Sequence, residues 1–171
     1  VNLTYSGEIA DNAKNRVVLD LLKRALDSRY MISIREEKGG TYGVRVSGGT
    51  NKYPVEQYVI TIKFDTNEQL ADELVEICDK EIKRIAEEGP LVEDIAKSKE
   101  FLQKNYNNIL ESNSGWLSTI YNWYEEEYNY KDEYLDILAS ITEDDIKALA
   151  QRILADGNRT LVVMRPGATT E

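Results

Sequence analysis

The chain opens with two successive hydrophobic patterns, the first of period two and the second of helical period. Apolar residues alternate with polar ones over the first nine positions, which predicts a half-buried strand whose inner face consists of Leu3, Tyr5 and Ile9. From residue 13 to about residue 37 the apolar positions recur at steps of three and four, which predicts one long helix. Asp11-Asn12 supplies its cap and Gly39-Gly40 its stop.

Two extended runs follow the glycine pair. Residues 41–50 and 55–64 both favour strands, and the second run places its large apolar residues on one face, namely Tyr58, Ile60, Ile62 and Phe64. The residues between the runs, from Gly48-Gly49 through Pro54, are typical of a hairpin loop. We therefore expect a β-hairpin directly after the long helix.

The second half of the chain is dominated by helical patterns. Thr66 with Gln69 is typical of a capping box that begins a helix, and Gly89-Pro90 is typical of its end. A second helix follows directly, is interrupted at Ser112-Asn113-Ser114-Gly115, and resumes from residue 116 to about residue 128. Two consecutive helices with a break in the second are therefore expected.

A short helix at 131–138 and a capped final helix complete the pattern. Thr142, with Asp145 three positions later, caps the final helix, and Gly157-Asn158 leads into a strand at 160–164. The order of elements is strand, helix, two strands, several helices and strand. This order predicts an α+β fold, with an antiparallel sheet of about four strands and helices packed on one face. Residues 1–171 are expected to form one domain of a larger protein.

The composition argues against two classes of function. Thirty-one acidic residues against 21 basic ones give a net charge of −10, which repels phosphate backbones and anionic lipids, so nucleic-acid binding is not expected. No window approaches eighteen continuous apolar residues, so no membrane insertion is expected. The single cysteine, Cys78, lies at helical spacing from Leu74 and Ile82 and is interpreted as a core residue.

The chain contains no histidine, the commonest metal ligand and the usual general base near neutral pH. A self-sufficient zinc site and a Ser-His-Asp triad are therefore excluded, and no metal ligand or cofactor is predicted within this chain. The carboxylates almost all lie on predicted helical faces, where a solvated surface is their expected role.

The junction between the long helix and the next strand carries the candidate site. It reads Arg35-Glu36-Glu37-Lys38-Gly39-Gly40-Thr41-Tyr42-Gly43-Val44, with an arginine at the helix end and a tyrosine seven positions later at a strand start. This arrangement resembles the C-terminal half of insulinase-like (pitrilysin-type) zinc metallopeptidases. The strand pair, the Gly89-Pro90 break, the stretch at 113–116 and the helix start at 141–145 agree with that family, so the resemblance covers most of the chain.

The resemblance implies a LuxS- and processing-peptidase-like fold and a division of labour between domains. In this family the zinc sits in an N-terminal domain, on an inverted H-x-x-E-H helix, and the C-terminal half closes over it. By resemblance, Arg35 and Tyr42 bind the main chain of a peptide substrate, and Tyr42 also helps to stabilise the tetrahedral intermediate. Zinc would lie in a partner domain or subunit, and this chain alone would not cleave peptides. The relatives also suggest the bacterial periplasm or cell envelope.

The chemistry of the two residues suits those roles, but each also has a plainer interpretation. A guanidinium presents several donors to peptide carbonyls in a rigid fork, and a phenol can donate to a developing oxyanion. Arg35 in a last helical turn would also interact favourably with the helix dipole. Tyr42 is in phase with Val44 and Val46, so alternation alone places its ring on the core face of a strand.

Other features leave further alternatives open. By resemblance the stretch at 113–116 lines a closed chamber, whereas the residues themselves favour a helix break followed by an aromatic packing layer of Trp116, Tyr121, Trp123 and Tyr124. Glu125-Glu126-Glu127 is interpreted as a solvated face, with an acidic wall for basic substrates as the alternative. For the chain as a whole, the alternative function is a non-catalytic scaffold in a processing-peptidase-like assembly.

Overall fold

A computed structural model describes residues 1–36, 41–126 and 128–165, apart from the side chains of residues 35, 36 and 126. The elements of these ranges follow in the predicted order. They are β1 (Asn2–Glu8), α1 (Ala13–Tyr30), β2 (Val44–Asn51), β3 (Gln57–Phe64), α2 (Ala71–Glu88), α3 (Val92–Leu110), α4 (Asn113–Glu126), α5 (Tyr130–Ser140), α6 (Glu143–Asp156) and β4 (Arg159–Val162). A π-helical segment, Met31–Glu36, continues α1.

The four strands form one sheet in the order β2-β3-β1-β4, and every neighbouring pair is antiparallel. Leu3 lies opposite Ile62 and Tyr5 opposite Ile60, which brings the predicted inner faces of β1 and β3 together. All four of these side chains are buried, whereas the residues between them along each strand are only partly buried. The sheet therefore has one face beneath the helices, as the alternation predicted.

The helices bury their apolar stripes against that face. Buried positions recur along α1 at three- and four-residue steps, including Val18, Leu22 and Leu26, and α6 and α2 pack beside it. Cys78 is fully buried among these side chains, and burial raises the pKa of its thiol to about 12. The predicted α+β architecture is confirmed, and so is the interpretation of Cys78 as a core residue. Within the described ranges, no helix is both long enough and apolar enough to cross a membrane.

Two tyrosines tie the sheet to the helices through carboxylates. The Tyr5 hydroxyl donates a hydrogen bond to Asp79. The same carboxylate accepts hydrogen bonds from Nε and Nη2 of Arg159 at 2.9 and 2.7 Å. The Tyr58 hydroxyl donates to Asp156 at 2.8 Å. Burial first, and then the neighbouring carboxylate, raises the pKa of both phenols above their usual range. These two aspartates are exceptions to the expectation that carboxylates only solvate helical surfaces.

Two of the three predicted helix caps are formed. Asn12 caps α1, because its side-chain oxygen accepts the Asn15 N–H at 2.9 Å. The capping box of Thr142 and Asp145 is also formed. The box predicted at Thr66 and Gln69 is wrong, since a turn precedes α2 and the Asn67 side chain accepts the Leu70 N–H instead. The helix therefore begins later, at Ala71.

Acid should weaken the start of α6 in a defined pH window. The Lys14 ammonium, 2.8 Å from Oδ1 of Asp145, and the Thr142 N–H lower the pKa of this carboxyl to about 2. Because the folded pKa lies below the unfolded one, the stabilisation is present above about pH 4 and is lost as the pH falls towards about 2. We expect Asp145→Asn to cost about 1 kcal/mol in the free energy of unfolding near neutral pH, and much less near pH 2.

Urea unfolding of the wild-type chain and the variant across that pH range measures this effect. Asp144→Asn is the matched control, because it removes an exposed carboxylate from the same turn. A destabilisation by Asp145→Asn that does not change with pH would contradict the assignment.

Candidate functional site

The candidate site begins where α1 widens into its π-helical segment. Inside the domain, the buried Tyr30 hydroxyl donates to the Cys78 carbonyl at 3.1 Å, and Ile34 is fully buried. The Ser33 hydroxyl donates to the Arg29 carbonyl at 2.9 Å, a side-chain bond that competes with the regular helical ladder. The predicted long helix therefore reaches Glu36, but its last six residues are not α-helical. Such π-helical turns are frequent at functional sites.

The structure gives only the backbone of Arg35, which lies in this segment, and the Gly39-Gly40 turn is outside the described residues. Tyr42 is described, and its exposed fraction is 101%. Its hydroxyl makes no hydrogen bond to any residue that the structure describes. The interpretation of Tyr42 as a core residue is therefore wrong. The physical reason is that β2 begins only at Val44, so the alternation of the strand does not extend back to Tyr42.

Short-range hydrogen bonds shape the backbone on both sides of Tyr42. The Thr41 hydroxyl donates to the Gly43 carbonyl at 3.0 Å and accepts the Gly43 N–H at 3.3 Å. Hydroxyl-to-backbone bonds of this kind stabilise a local turn. The turn holds the tyrosine away from the sheet, so the phenol is presented to the surroundings of the domain.

Two charged residues of α1 fix the strand that follows. Oδ1 of Asp27 accepts the Val46 N–H at 3.0 Å, and Nζ of Lys23 donates to the Gly48 carbonyl at 2.9 Å. Because β2 is an edge strand, these backbone groups have no partner strand on that side. Both bonds lie in β2, so α1 fixes the strand that follows Tyr42. Lys23 and Asp27 were not predicted from the sequence, since charges four apart on a helix usually indicate only a solvated face.

A groove of about 470 Å³ runs beside the π-helical segment, between α1 and α3. Its apolar lining comes from Met31, Ile32 and Phe101, all partly exposed. The Arg24 guanidinium lies 4.5 Å from the centre of the Phe101 ring, a distance typical of a cation–π contact. The groove therefore combines apolar and charged side chains beside the end of α1.

A larger groove of about 650 Å³ lies between the β2–β3 hairpin, α1 and α4. Its charges are largely satisfied within the chain. Arg16 pairs with Asp11, and Lys23 pairs with Asp20 at 3.2 Å. Four of the charged side chains that line this groove are therefore paired with one another.

The described residues contain no cluster that could hold a metal ion. No group of three or more Cys, Asp or Glu side chains converges in the described ranges, and the sequence has no histidine. Oxygen and thiolate ligands for zinc must converge at about 2.0 to 2.3 Å. Of the two predicted site residues, the structure describes one side-chain donor, the Tyr42 hydroxyl.

The aromatic residues after the helix break are arranged differently from the prediction. Ser112 does separate α3 from α4, because its hydroxyl accepts the Gly115 N–H at 3.0 Å. Trp116, Tyr121, Trp123 and Tyr124, however, are exposed and form no internal packing layer. The predicted layer is wrong because α4 packs on the domain through its small residues, Gly115 and Thr119. Glu125 is exposed, whereas the Glu126 side chain and Glu127 lie outside the described residues.

Solved structures with the same fold come from bacterial proteases. The periplasmic protease PqqL from Escherichia coli superposes with a TM-score of 0.79 at 15% identity, over 92% of this chain and 18% of that chain. The inactive peptidase domain of a putative zinc protease from Bordetella parapertussis gives 0.71 at 12% identity, over 99% of this chain and 94% of that one. The peptidase M16 inactive domain from Pseudomonas fluorescens gives 0.70 at 17% identity, over 96% and 42%.

Sequence comparisons identify the family. The chain is 28% identical over 112 residues, or 63% of its length, to the zinc protease PQQL-like of Arabidopsis thaliana, and spans only 12% of that relative. The family described as Peptidase M16 inactive domain matches residues 2–102, more than half of the chain. The resemblance to the zinc metallopeptidases predicted from the residues around Arg35 and Tyr42 is thus confirmed. The chain belongs to the Peptidase M16 inactive domain family.

Proposed function

We propose that this chain is a domain of an M16-type zinc peptidase that binds the peptide substrate without binding the metal. The zinc would lie in a partner domain or subunit, and the chain would hold an extended peptide against it. Arg35 and Tyr42 would bind the peptide main chain. Tyr42 would also donate a hydrogen bond to the oxyanion of the tetrahedral intermediate.

The exposed phenol of Tyr42 is the observation that carries this proposal. A tyrosine normally buries its ring and finds a partner for its hydroxyl. Here the ring is fully exposed, and the hydroxyl has no partner within the described part of the chain. A free donor on a rigid aromatic stem suits an oxyanion that develops outside the domain. Such a donor acts most strongly once a second surface excludes water from the site.

The segment that carries Tyr42 is attached to the domain on both sides, as a residue that stabilises a transition state requires. A catalytic donor must be held in place before the reaction, since reorganisation during the reaction would cancel its benefit. Tyr30 anchors the end of α1 from inside the domain, and Asp27 anchors β2 at Val46. The segment between them therefore starts and ends on fixed points.

The groove lined by Met31, Ile32 and Phe101 supports a peptide as the ligand. It adjoins the segment that contains Arg35, so a peptide bound by its main chain at Arg35 could place an apolar side chain there. The E. coli relative is a periplasmic protease, which supports an envelope location for this protein as part of the same proposal.

We expect the isolated 171-residue chain to bind no stoichiometric zinc and to cleave no peptide, because it supplies no histidine. Adding the chain to its zinc-bearing domain should produce turnover of a fluorogenic peptide that neither part shows alone. Elemental analysis and a continuous fluorescence assay measure the two effects.

The zinc-bearing domain alone, at the same concentration, is the control for this reconstitution. Stoichiometric zinc in the isolated chain, or equal turnover with and without the chain, would contradict the proposal.

A further inference from the structure

Helix α4 turns its small and polar residues towards the domain and exposes its large apolar residues. Its body-facing positions are the small or polar residues Gly115, Thr119 and Asn122, which are buried or partly buried. Its large apolar residues are all exposed, with exposed fractions from 39% to 85%, and they are Trp116, Leu117, Ile120, Tyr121, Trp123 and Tyr124. At 3.6 residues per turn these six residues form one continuous arc of about 160°. We call this surface the outer face of α4.

Close packing on the other side fixes this orientation. A Cβ atom added to Gly115 would lie 2.0 Å from the Ile109 carbonyl oxygen, so α4 approaches the end of α3 at a distance that only glycine permits. The Thr119 hydroxyl is buried and donates to the Gly115 carbonyl at 2.9 Å. Turning α4 to bury its aromatic residues would break the close contact between Gly115 and Ile109. Exposure of the outer face is therefore built into the fold.

The outer face has the size of a protein interface. From their exposed fractions, the six side chains present on the order of 700 Å² of accessible surface. A stable protein–protein interface buries about 800 Å² on each partner, and monomer surfaces rarely carry larger contiguous apolar patches than a few hundred Å². Tryptophan and tyrosine, four of the six residues, are also the types most enriched where binding energy is concentrated.

We propose that the outer face of α4 is the surface on which the zinc-bearing domain packs. This inference rests on the proposed function, which supplies that domain, and adds the contact surface. The chain covers only 18% of the E. coli protease and 42% of the P. fluorescens chain, so further polypeptide accompanies the matching region in both of those chains. A permanently attached domain would keep the apolar face covered, as in obligate interfaces.

The net charge of the chain and the width of the outer face argue against two other binding partners, a second copy of the chain and a single extended peptide. A second copy would bring two chains of net charge −10 together, with the exposed Glu125 beside the face in each copy. A single extended peptide strand is narrower than an arc of this width along a 14-residue helix.

Isothermal titration of the chain with the separately produced zinc-bearing domain tests the proposal. We expect Leu117→Ser and Tyr124→Ser, singly, to weaken binding about tenfold or more, since both side chains are mostly exposed and can be replaced without disturbing the core. Leu154→Ser and Met164→Ser are the matched controls, because they remove exposed apolar side chains elsewhere and should leave binding unchanged. Circular dichroism checks that all four variants are folded.

Four outcomes would overturn the inference. The first is wild-type affinity in both α4 variants, and the second is a failure of the wild-type chain to bind the zinc-bearing domain. The third is a concentration-dependent dimer of the chain in sedimentation velocity that Leu117→Ser dissociates, which would assign the face to a second copy. The fourth is a raised KM with unchanged domain affinity, which would assign the face to substrate. A loss of binding in the α4 variants, together with unchanged turnover after Tyr42→Phe, would instead support this interface and refute only the proposed role of Tyr42.

Discussion

Replacing Tyr42 with phenylalanine in the full-length protein is expected to lower peptide turnover about a hundredfold, because one oxyanion donor typically contributes about two to four kcal/mol to transition-state stabilisation. The fold should be unaffected, since the hydroxyl lies in solvent and the described residues give it no partner. Steady-state kinetics with a peptide substrate measure the effect, and the loss should appear mainly in kcat because the donor acts on the transition state.

Tyr53→Phe is the matched control for this experiment. Tyr53 is also strongly exposed but lies in the loop between β2 and β3, so removing its hydroxyl makes the same chemical change away from the candidate site. Equal turnover of both variants and the wild-type protein would remove Tyr42 from the mechanism. That result would favour the alternative function, a non-catalytic scaffold.

The largest expected loss of stability from a small substitution is at Gly48. This residue has a φ of 143°, and an added Cβ atom would lie 2.0 Å from the Val59 carbonyl oxygen of the neighbouring strand. The Val59 carbonyl is part of the backbone of β3 and cannot move aside as a flexible side chain can. Gly48→Ala must therefore separate β2 from β3. We expect a cost of about 3 kcal/mol, the sum of an unfavourable backbone conformation and overpacking. For a chain of this length, that corresponds to a fall in Tm of roughly 6 to 12 °C.

Gly49→Ala provides the control one residue along the same strand. A Cβ atom there meets nothing within 4 Å, so the variant should be as stable as the wild-type chain or slightly more so. Urea and thermal unfolding of both variants measure the difference. Similar stability of the two alanine variants would contradict the geometry of β2 described here.

The Gly48 variant also links the fold to the candidate site. The Gly48 carbonyl accepts the hydrogen bond from Lys23, and β2 begins two residues after Tyr42. A displaced β2 would therefore move one of the two anchors of the tyrosine. Gly48 lies where the predicted strand 41–50 overlaps the predicted hairpin loop, and its strict requirement for glycine follows only from the approach of β3.

The sequence was most informative where one local period described a whole element. The alternation of Tyr58, Ile60 and Ile62 was enough to predict an inner strand face, since successive side chains of a strand point to opposite sides. The helix caps at Asn12 and Thr142 were equally local, because each cap bonds an N–H three residues away.

Predictions failed where a boundary or a face depended on contacts distant in sequence. Tyr42 continues the alternation of β2, yet pairing with β3 begins only at Val44, opposite Phe64. The aromatic residues of α4 have the apolar period of a core helix. The close approach of Gly115 to Ile109 turns that face outwards, and no hydropathy pattern records such an approach.

By itself, the sequence determined the α+β order of elements, the absence of a histidine-based zinc site and the family, because these depend on composition, local periodicity and short motifs. Only the tertiary structure decided that Tyr42 is exposed, that Lys23 and Asp27 fix the strand beside it, and that α4 presents an apolar face. Each of these depends on which surfaces meet when the sheet and the helices pack. Those contacts join residues that are distant in sequence, so local sequence patterns do not determine them.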